Sequence, residues 1–340
     1  MRRSRVAAGS KRPDRGPPHA RRPRAGRRRV GSGSAGLLRG TTPGGRRFRE
    51  VRACCPPLPR APHRCVPGCT AGNRTDSAVI SDTHLRVEGG GSAAPLVLLH
   101  GVGLDLTMWD GVVDALAADR KVVRYDLLGH GHSADPPGER SIADFLVQLL
   151  EVVDTVGLGP PDIAGLSMGG MISLGAAARH PSAFRRVALL NTVFCRTPEQ
   201  VAGSRERLAM AAADGMGAVA DLAIDRWFSA DWQATHPGET AVVREHILGN
   251  DLVAYLKAYR VFVEGDPFMP EGAANVIAPT LAMTGELDPG STPAMSHALA
   301  EAVPYGQAVV LAGLHHLPPI EAPGAFLRPF LDFLDQEHPV

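Results

Sequence analysis

The chain has no uninterrupted apolar run of about 18 residues, so it offers no candidate for a helix that crosses a membrane, and no membrane partner is expected. Cysteine is scarce as well. Of five in 340 residues, four (Cys54, Cys55, Cys65 and Cys69) fall before position 75, which leaves Cys195 alone for the remainder. One thiol cannot build a disulfide framework; this suits a reducing compartment, and a cytoplasmic location is expected. The four early cysteines, with His63 close by, lack the paired Cys-x-x-Cys spacing of zinc knuckles, so their clustering reads as chance and no metal is expected. Acidic residues are nearly missing from residues 1–75, which hold 20 Lys+Arg against Asp14 and Glu50. Subtraction from the totals of 36 and 35 leaves 16 basic and 33 acidic residues for the rest, so a local +18 is joined to a local −17 and the formal net of +1 describes neither part.

Residues 1–75 also hold ten prolines and almost no apolar run longer than Gly36-Leu37-Leu38. Such a segment buries too little apolar surface to offset the entropy of ordering, and disorder is the expectation. Its opening, Met1-Arg2-Arg3-Ser4-Arg5, invites a targeting reading. A secretory or twin-arginine signal needs about 7 to 15 apolar residues after the charges, and Val6-Ala7-Ala8-Gly9 is too short for that. An organellar transit peptide fits the charge but not the proline content. Clustered arginines attract phosphate, yet we expect no nucleic-acid partner. We expect the tail to lie outside the working protein, as a stretch added by a start codon placed too far upstream.

From about Asp76 short apolar strands alternate with longer helical periods, the pattern of a mostly parallel sheet covered by helices. Pro95 to His100 reads as a buried strand, Lys121 to Asp126 as the next, and Met108 to Ala118 as the helix between them. Ser141 caps a helix that runs to Val156. Asp162 to Gly165 is a strand followed by a helix from Ser167 to about Ala178, and Arg186 to Leu190 is a strand again. The last third repeats the theme in strands Thr280 to Thr284 and Gln307 to Leu311 and in helices Pro293 to Ala302 and Ala322 to Leu334. Between 193 and 274 the alternation fails, and helical sequence bearing Trp227, Phe228, Trp232, Tyr255 and Tyr259 takes its place. The expected organisation is a tail (1–75), a first core part (76–192), an inserted helical cap (193–274) and a second core part (275–340). The cap aromatics would either wall an apolar substrate or hold a small subdomain together.

Four elements carry chemistry. Gly165-Leu166-Ser167-Met168-Gly169 has the G-x-S-x-G form between an apolar strand and a helix. A sharp turn there would strain Ser167 and leave no room for side chains two positions to either side, which explains the glycines. Ser167 is the expected nucleophile. His100-Gly101-Val102-Gly103 follows the first core strand and would bring a backbone N–H to a developing oxyanion, with the second donor from Met168, the residue after the serine. His100 itself reads as structural. Asp288, in Thr284-Gly285-Glu286-Leu287-Asp288-Pro289, leaves a strand at the sheet edge where Ser167 must lie. It is the expected acid, with Glu286 its competitor and more readily a loop residue bonded to backbone or solvent. Gly313-Leu314-His315-His316-Leu317-Pro318 follows the final strand and supplies the base; His316 is favoured over His315 because it lies deeper in the loop. His130 and His132 read as stabilising the glycine-rich loop after the second core strand.

Together these elements resemble the α/β-hydrolase superfamily over about 260 residues, from Thr83 to the C-terminus, and the order Ser, Asp, His is that superfamily's order. A narrower likeness, in Asp105 to Asp110, Arg124-Tyr125-Asp126, Gly165 to Gly170, Leu190-Asn191-Thr192 and Arg226-Trp227-Phe228, is to the 3-oxoadipate enol-lactonases of aromatic-acid catabolism. The resemblance implies an α/β-hydrolase fold with a helical cap, no cofactor, and hydrolysis of a small-molecule ester or lactone by Ser167, Asp288 and His316. Those lactonases often carry Asn-Ser where this chain has His100-Gly101, the commoner esterase form. An anionic lactone would need a cation in the pocket; Arg196, Arg226 and Arg260 are the cap candidates, and Arg226 and Trp227 are the expected substrate contacts. The same triad would serve a general carboxylesterase, a C–C bond hydrolase or a cofactor-free haloperoxidase, and a scaffold of this kind can also act as a ligand receptor. Dehalogenases and epoxide hydrolases are disfavoured because they use Asp where this chain has Ser167. No feature of the sequence speaks to oligomeric state.

Overall fold

The computed structural model describes residues 82–265 and 268–337. The basic tail and its four cysteines lie outside the described residues. Seven strands form one sheet: β1 (Leu85–Gly89), β2 (Leu96–Leu99), β3 (Lys121–Tyr125), β4 (Asp162–Leu166), β5 (Arg186–Leu190), β6 (Thr280–Gly285) and β7 (Gly306–Leu311). Their order is β1-β3-β2-β4-β5-β6-β7. β1 pairs antiparallel with β3, and every other neighbouring pair is parallel. The sequence reading missed β1 because none of its LRVEG is fully buried, as suits a strand at the sheet's edge. The central strands follow the opposite rule. All four residues of β2 and all five of β4 and β5 are buried, as continuous apolar runs between two helical layers should be.

The helices of the sheet are α1 (Asp110–Leu116), α2 (Ile142–Val156), α3 (Met168–Arg179), α9 (Pro293–Ala302) and α11 (Pro323–Asp335), with a one-turn α10 (Pro318–Glu321) before the last. A 3-10 turn, Leu106–Trp109, precedes α1, so the helix read from Met108 starts later than its periodicity suggested. From β2 the chain steps outward to β3 and then returns across β2 to β4. Right-handed crossovers in opposite directions put α1 on one face of the sheet and α2 and α3 on the other. The contacts agree: α1 packs on α11, and α2 packs on α3. The reversal occurs between β2 and β4, and a crevice must open above their C-terminal ends, where loops diverge to opposite faces. The loop beginning Gly101 and the turn at Ser167 both leave the sheet there.

Between β5 and β6 the chain runs through α4 (Pro198–Trp227), α5 (Ala230–Thr235), α6 (Pro237–Leu248), α7 (Leu252–Glu264) and α8 (Met269–Ala274). α4 packs on α6 and α7, whereas α8 packs on α3 of the sheet layer. α4 is broken at Gly215, whose φ of 75° and ψ of −172° lie in a region open essentially only to glycine. Phe228 is buried and stacks on Trp232 with ring centroids 4.2 Å apart, and Trp232 stacks on His236 at 4.5 Å. These stacked rings therefore hold the turn from α4 through α5 to the start of α6.

Candidate active site

Ser167 sits between β4 and α3 with φ 56° and ψ −115°, a strained conformation for a residue with a side chain. Its surroundings explain why the sequence is glycine-rich. A Cβ at Gly165 would lie 2.1 Å from the Gly169 carbonyl oxygen, one at Gly169 2.6 Å from the His100 carbonyl oxygen, and one at Gly170 1.9 Å from Thr192 Oγ1. The Ser167 N–H donates to the Leu190 carbonyl (2.8 Å), and the residue is nearly buried. Ser167 is followed directly by Met168, the first residue of α3, whose N–H belongs to the helical turn that has no intrahelical acceptors. The loop of Gly101 and Val102 lies against this turn: a Cβ at Gly101 would stand 3.3 Å from Ser167 Cβ. His100 anchors the loop, its Nε2 accepting from the Leu127 N–H (2.8 Å), and burial pushes its pKa down so that it stays neutral.

Asp288 follows β6 and is only 3% exposed. It accepts hydrogen bonds from His316 Nδ1 (2.6 Å), Asn191 Nδ2 (2.8 Å) and the N–H groups of Gly290 (2.8 Å) and Ser291 (3.0 Å). Burial alone would raise its pKa; the charge and hydrogen bond of His316, the Asn191 amide and the Ser291 N–H outweigh it and hold the carboxyl below its ordinary value. An ionised carboxylate is acceptor only, so the proton of the short bond belongs to His316 Nδ1, and Nε2 is the ring nitrogen left facing away from Asp288. Trp227, the last residue of α4, holds His316 twice. Its ring stacks on the imidazole with centroids 5.7 Å apart, and its carbonyl accepts the His316 backbone N–H (3.3 Å).

The two competitors are engaged elsewhere. His315 turns to Glu321, with its Nδ1 3.0 Å from Oε1 and its N–H donating to Oε2 (2.6 Å). Glu286 is exposed and accepts from the Gly313 N–H (2.9 Å), the loop role read from sequence. Ser167, Asp288, His316, Val102, Arg226 and Trp227 all line one cavity of about 360 Å³, with α4 and α7 supplying much of its far wall. Met168 is buried beneath Ser167. Of the other cationic candidates Arg196 lines the cavity, whereas Arg260 pairs with Glu139 at the surface. Among the described residues no group of three or more His, Cys, Asp or Glu is placed to hold a metal ion.

Two residues of the site, Asn191 and Arg207, had no catalytic or binding role in the sequence reading. Asn191, with φ 45°, bonds Asp288, Thr284 Oγ1 (3.2 Å) and the His315 carbonyl (3.1 Å) through one amide nitrogen. Its signal was an Asn directly after a buried strand, since Asn tolerates the left-handed region that a sharp exit demands. Arg207 lines the cavity, as does Tyr255, one of the cap aromatics offered as a substrate wall. Arg207 carries no local signal, because it is one residue of an ordinary helix.

Comparison with known proteins bears on the family and the fold. A family model described as the alpha/beta hydrolase fold matches residues 94–323. The chain is similar to the (E)-2-((N-methylformamido)methylene)succinate hydrolase of Acinetobacter baylyi, 30% identical over 236 residues that make up 68% of this chain and 87% of that protein. It is 24% identical over 250 residues to 3-oxoadipate enol-lactonase 1 of the same organism, covering 74% of this chain and 92% of the relative. Among solved structures, the enol-lactonase from Burkholderia xenovorans LB400 superposes with a TM-score of 0.70 at 33% identity, over 75% of this chain and 96% of that one.

Proposed function

The chain belongs to the alpha/beta hydrolase fold family, and from that premise we propose that it is a serine hydrolase that opens a small carboxylic ester or lactone through an acyl-enzyme on Ser167. One observation carries the reading. The strained serine at a helix N-terminus lines the same cavity as an imidazole already bonded to a buried carboxylate.

In this mechanism His316 Nε2 takes the hydroxyl proton of Ser167 as Oγ attacks the acyl carbonyl. The tetrahedral oxyanion is held by the N–H groups of Val102 and Met168, and preorganised donors of this kind are worth about 10²–10³ in rate each. Asp288 stabilises the imidazolium and fixes its orientation. The imidazolium returns its proton to the leaving alkoxide as the C–O bond breaks; in a lactone that oxygen stays tethered to the acyl group. Water then attacks the acyl-enzyme, giving its proton to His316, and the imidazolium returns that proton to Ser167 Oγ as the serine leaves and the acid is released. Every proton moves between named groups, and no cofactor enters. Residues 193–274 act as the cap, with Trp227 as both the support of His316 and a flat wall for the substrate.

The first compound to assay is 3-oxoadipate enol-lactone, beside simple aryl esters. The names of two relatives carry that lactone and a substituted succinate, and a strong preference for one compound defines the substrate class. Ser167→Ala is expected to abolish the burst of p-nitrophenol from p-nitrophenyl acetate and lower turnover by about 10⁴-fold or more with an unchanged circular dichroism spectrum. A variant that still bursts would refute the proposal.

A further inference from the structure

Two guanidinium groups line the cavity without a carboxylate partner. Among the described residues Arg226 has no hydrogen-bonding or ion-pairing partner, and Arg207 bonds only the Tyr259 hydroxyl (2.9 Å) and Ser204 Oγ (2.9 Å). The acids that line the same space are committed elsewhere. Asp288 holds His316, and Glu199 is fully exposed and bonded to Thr197. Arg196, the third arginine of the wall, is taken up by the Phe262 carbonyl (2.7 Å) and by the Phe262 ring at 4.6 Å. Burial, and then the positive charge of Arg207, destabilise the protonated form of Arg226 by more than the nearby Asp288 carboxylate supports it. A partly buried cation that faces a second cation and has no anion in hydrogen-bonding contact is costly in an empty protein, and the cost is recovered when an anion enters.

The fold goes out of its way to bring the pair together. On a straight helix Arg207 and Arg226 would stand about 28 Å apart. Instead α4 breaks at Gly215, in backbone geometry that glycine alone adopts readily, and its two halves set both side chains on one cavity. Arg226 reaches to the catalytic edge: a Cβ at Gly290 would lie 3.1 Å from its Nη2 and 3.5 Å from Asp288 Oδ1, so the glycine leaves the guanidinium its place.

We infer that Arg207 and Arg226 form an anion clamp, and that the natural substrate carries two free carboxylates besides the acyl group attacked at Ser167. This rests on the reading of Ser167 as the nucleophile and narrows it. An enol-lactone of a diacid keeps one free carboxylate, which matches half of the clamp. Guanidinium groups recognise carboxylates through paired charge-assisted hydrogen bonds, and a dianion answers both cations at once.

Calorimetric titration of the full chain with glutarate and with butyrate at pH 7.5 and fixed ionic strength reads the clamp without turnover, because neither acid has a scissile bond. Glutarate is expected to bind at least tenfold more tightly than butyrate. Arg207→Gln and Arg226→Gln should each lower glutarate affinity about tenfold, while Arg260→Gln, whose parent arginine pairs with Glu139 at the surface, should leave it as it is. Equal affinities for the two acids, no measurable glutarate binding at millimolar concentration, or glutarate binding that survives both substitutions would overturn the clamp. Should a Gln variant fail to fold, the wild-type preference for glutarate and the weaker glutarate binding expected of Arg226→Lys, which removes the fork but keeps the charge, decide between the same outcomes. A p-nitrophenyl acetate burst with no glutarate preference rejects the clamp alone; the preference without the burst rejects the nucleophile alone.

Discussion

Asn191 offers the sharpest test of how the dyad is built, because two substitutions remove the same amide and differ only in backbone. Asn191→Gly keeps the φ of 45° at ease and deletes the donor to Asp288; Asn191→Ala deletes it and also strains the turn. The lost bond runs to an ionised group, which sets its worth at roughly 1.5 to 3 kcal/mol. Asp288 keeps three other donors, so the lower end applies, and about 1.5 kcal/mol corresponds to a fall of roughly tenfold in rate. The expected signature in Asn191→Gly is a tenfold drop in kcat for p-nitrophenyl acetate with KM within threefold, because the amide supports the carboxylate and does not face the ester. Asn191→Ala should match that kcat and be less stable than Asn191→Gly by about 1 kcal/mol in urea unfolding, the cost of a left-handed alanine. If Asn191→Gly turns over at the wild-type rate while folded, Asp288 does not need the amide and the positioning argument fails. Equal stabilities for the two variants would refute the strain assigned to the turn.

Three further outcomes follow from the same packing. Gly170→Ala drives a methyl group to 1.9 Å from Thr192 Oγ1, so a loss of about 1–3 kcal/mol is expected in urea unfolding, with part restored by adding Thr192→Ala; full stability in the single variant would count against it. Gly215→Ala has open space for its methyl but not the φ, so it should lose about 1–3 kcal/mol and weaken glutarate binding in the same titration; unchanged glutarate affinity would separate the helix break from the clamp. His130 is buried, and desolvation followed by the nearby His100 lowers its pKa to about 3. The unfolded chain therefore binds this proton first, so stability is full above pH 6.5 and falls as pH drops toward 3. Between pH 7 and pH 5 the wild type should lose about 2 kcal/mol more than His130→Asn, and parallel urea-derived stability curves for the two proteins would contradict the buried neutral histidine.

Most of the sheet was legible in the sequence because its signals are local. A strand buried on both faces must be apolar throughout, and Leu96–Leu99 and Arg186–Leu190 stand within a residue of where their composition put them. The glycines around Ser167 are likewise a local record: they mark positions where a Cβ would meet backbone at under 3 Å. β1 escaped notice because a half-exposed edge strand need not be apolar.

Sequence by itself therefore determined the strand and helix alternation, the turn that strains Ser167, and the loops that carry Asp288 and the two histidines. Each depends on what a few consecutive residues can adopt. Tertiary structure alone decided that His316 meets Asp288 while Glu321 holds His315, that Asn191 braces the carboxylate, and that Arg207 and Arg226 share a cavity across the break at Gly215. Those outcomes join residues 6 to 97 positions apart, and a contact across such a separation is fixed by the packing of whole elements, which no local stretch of chain encodes.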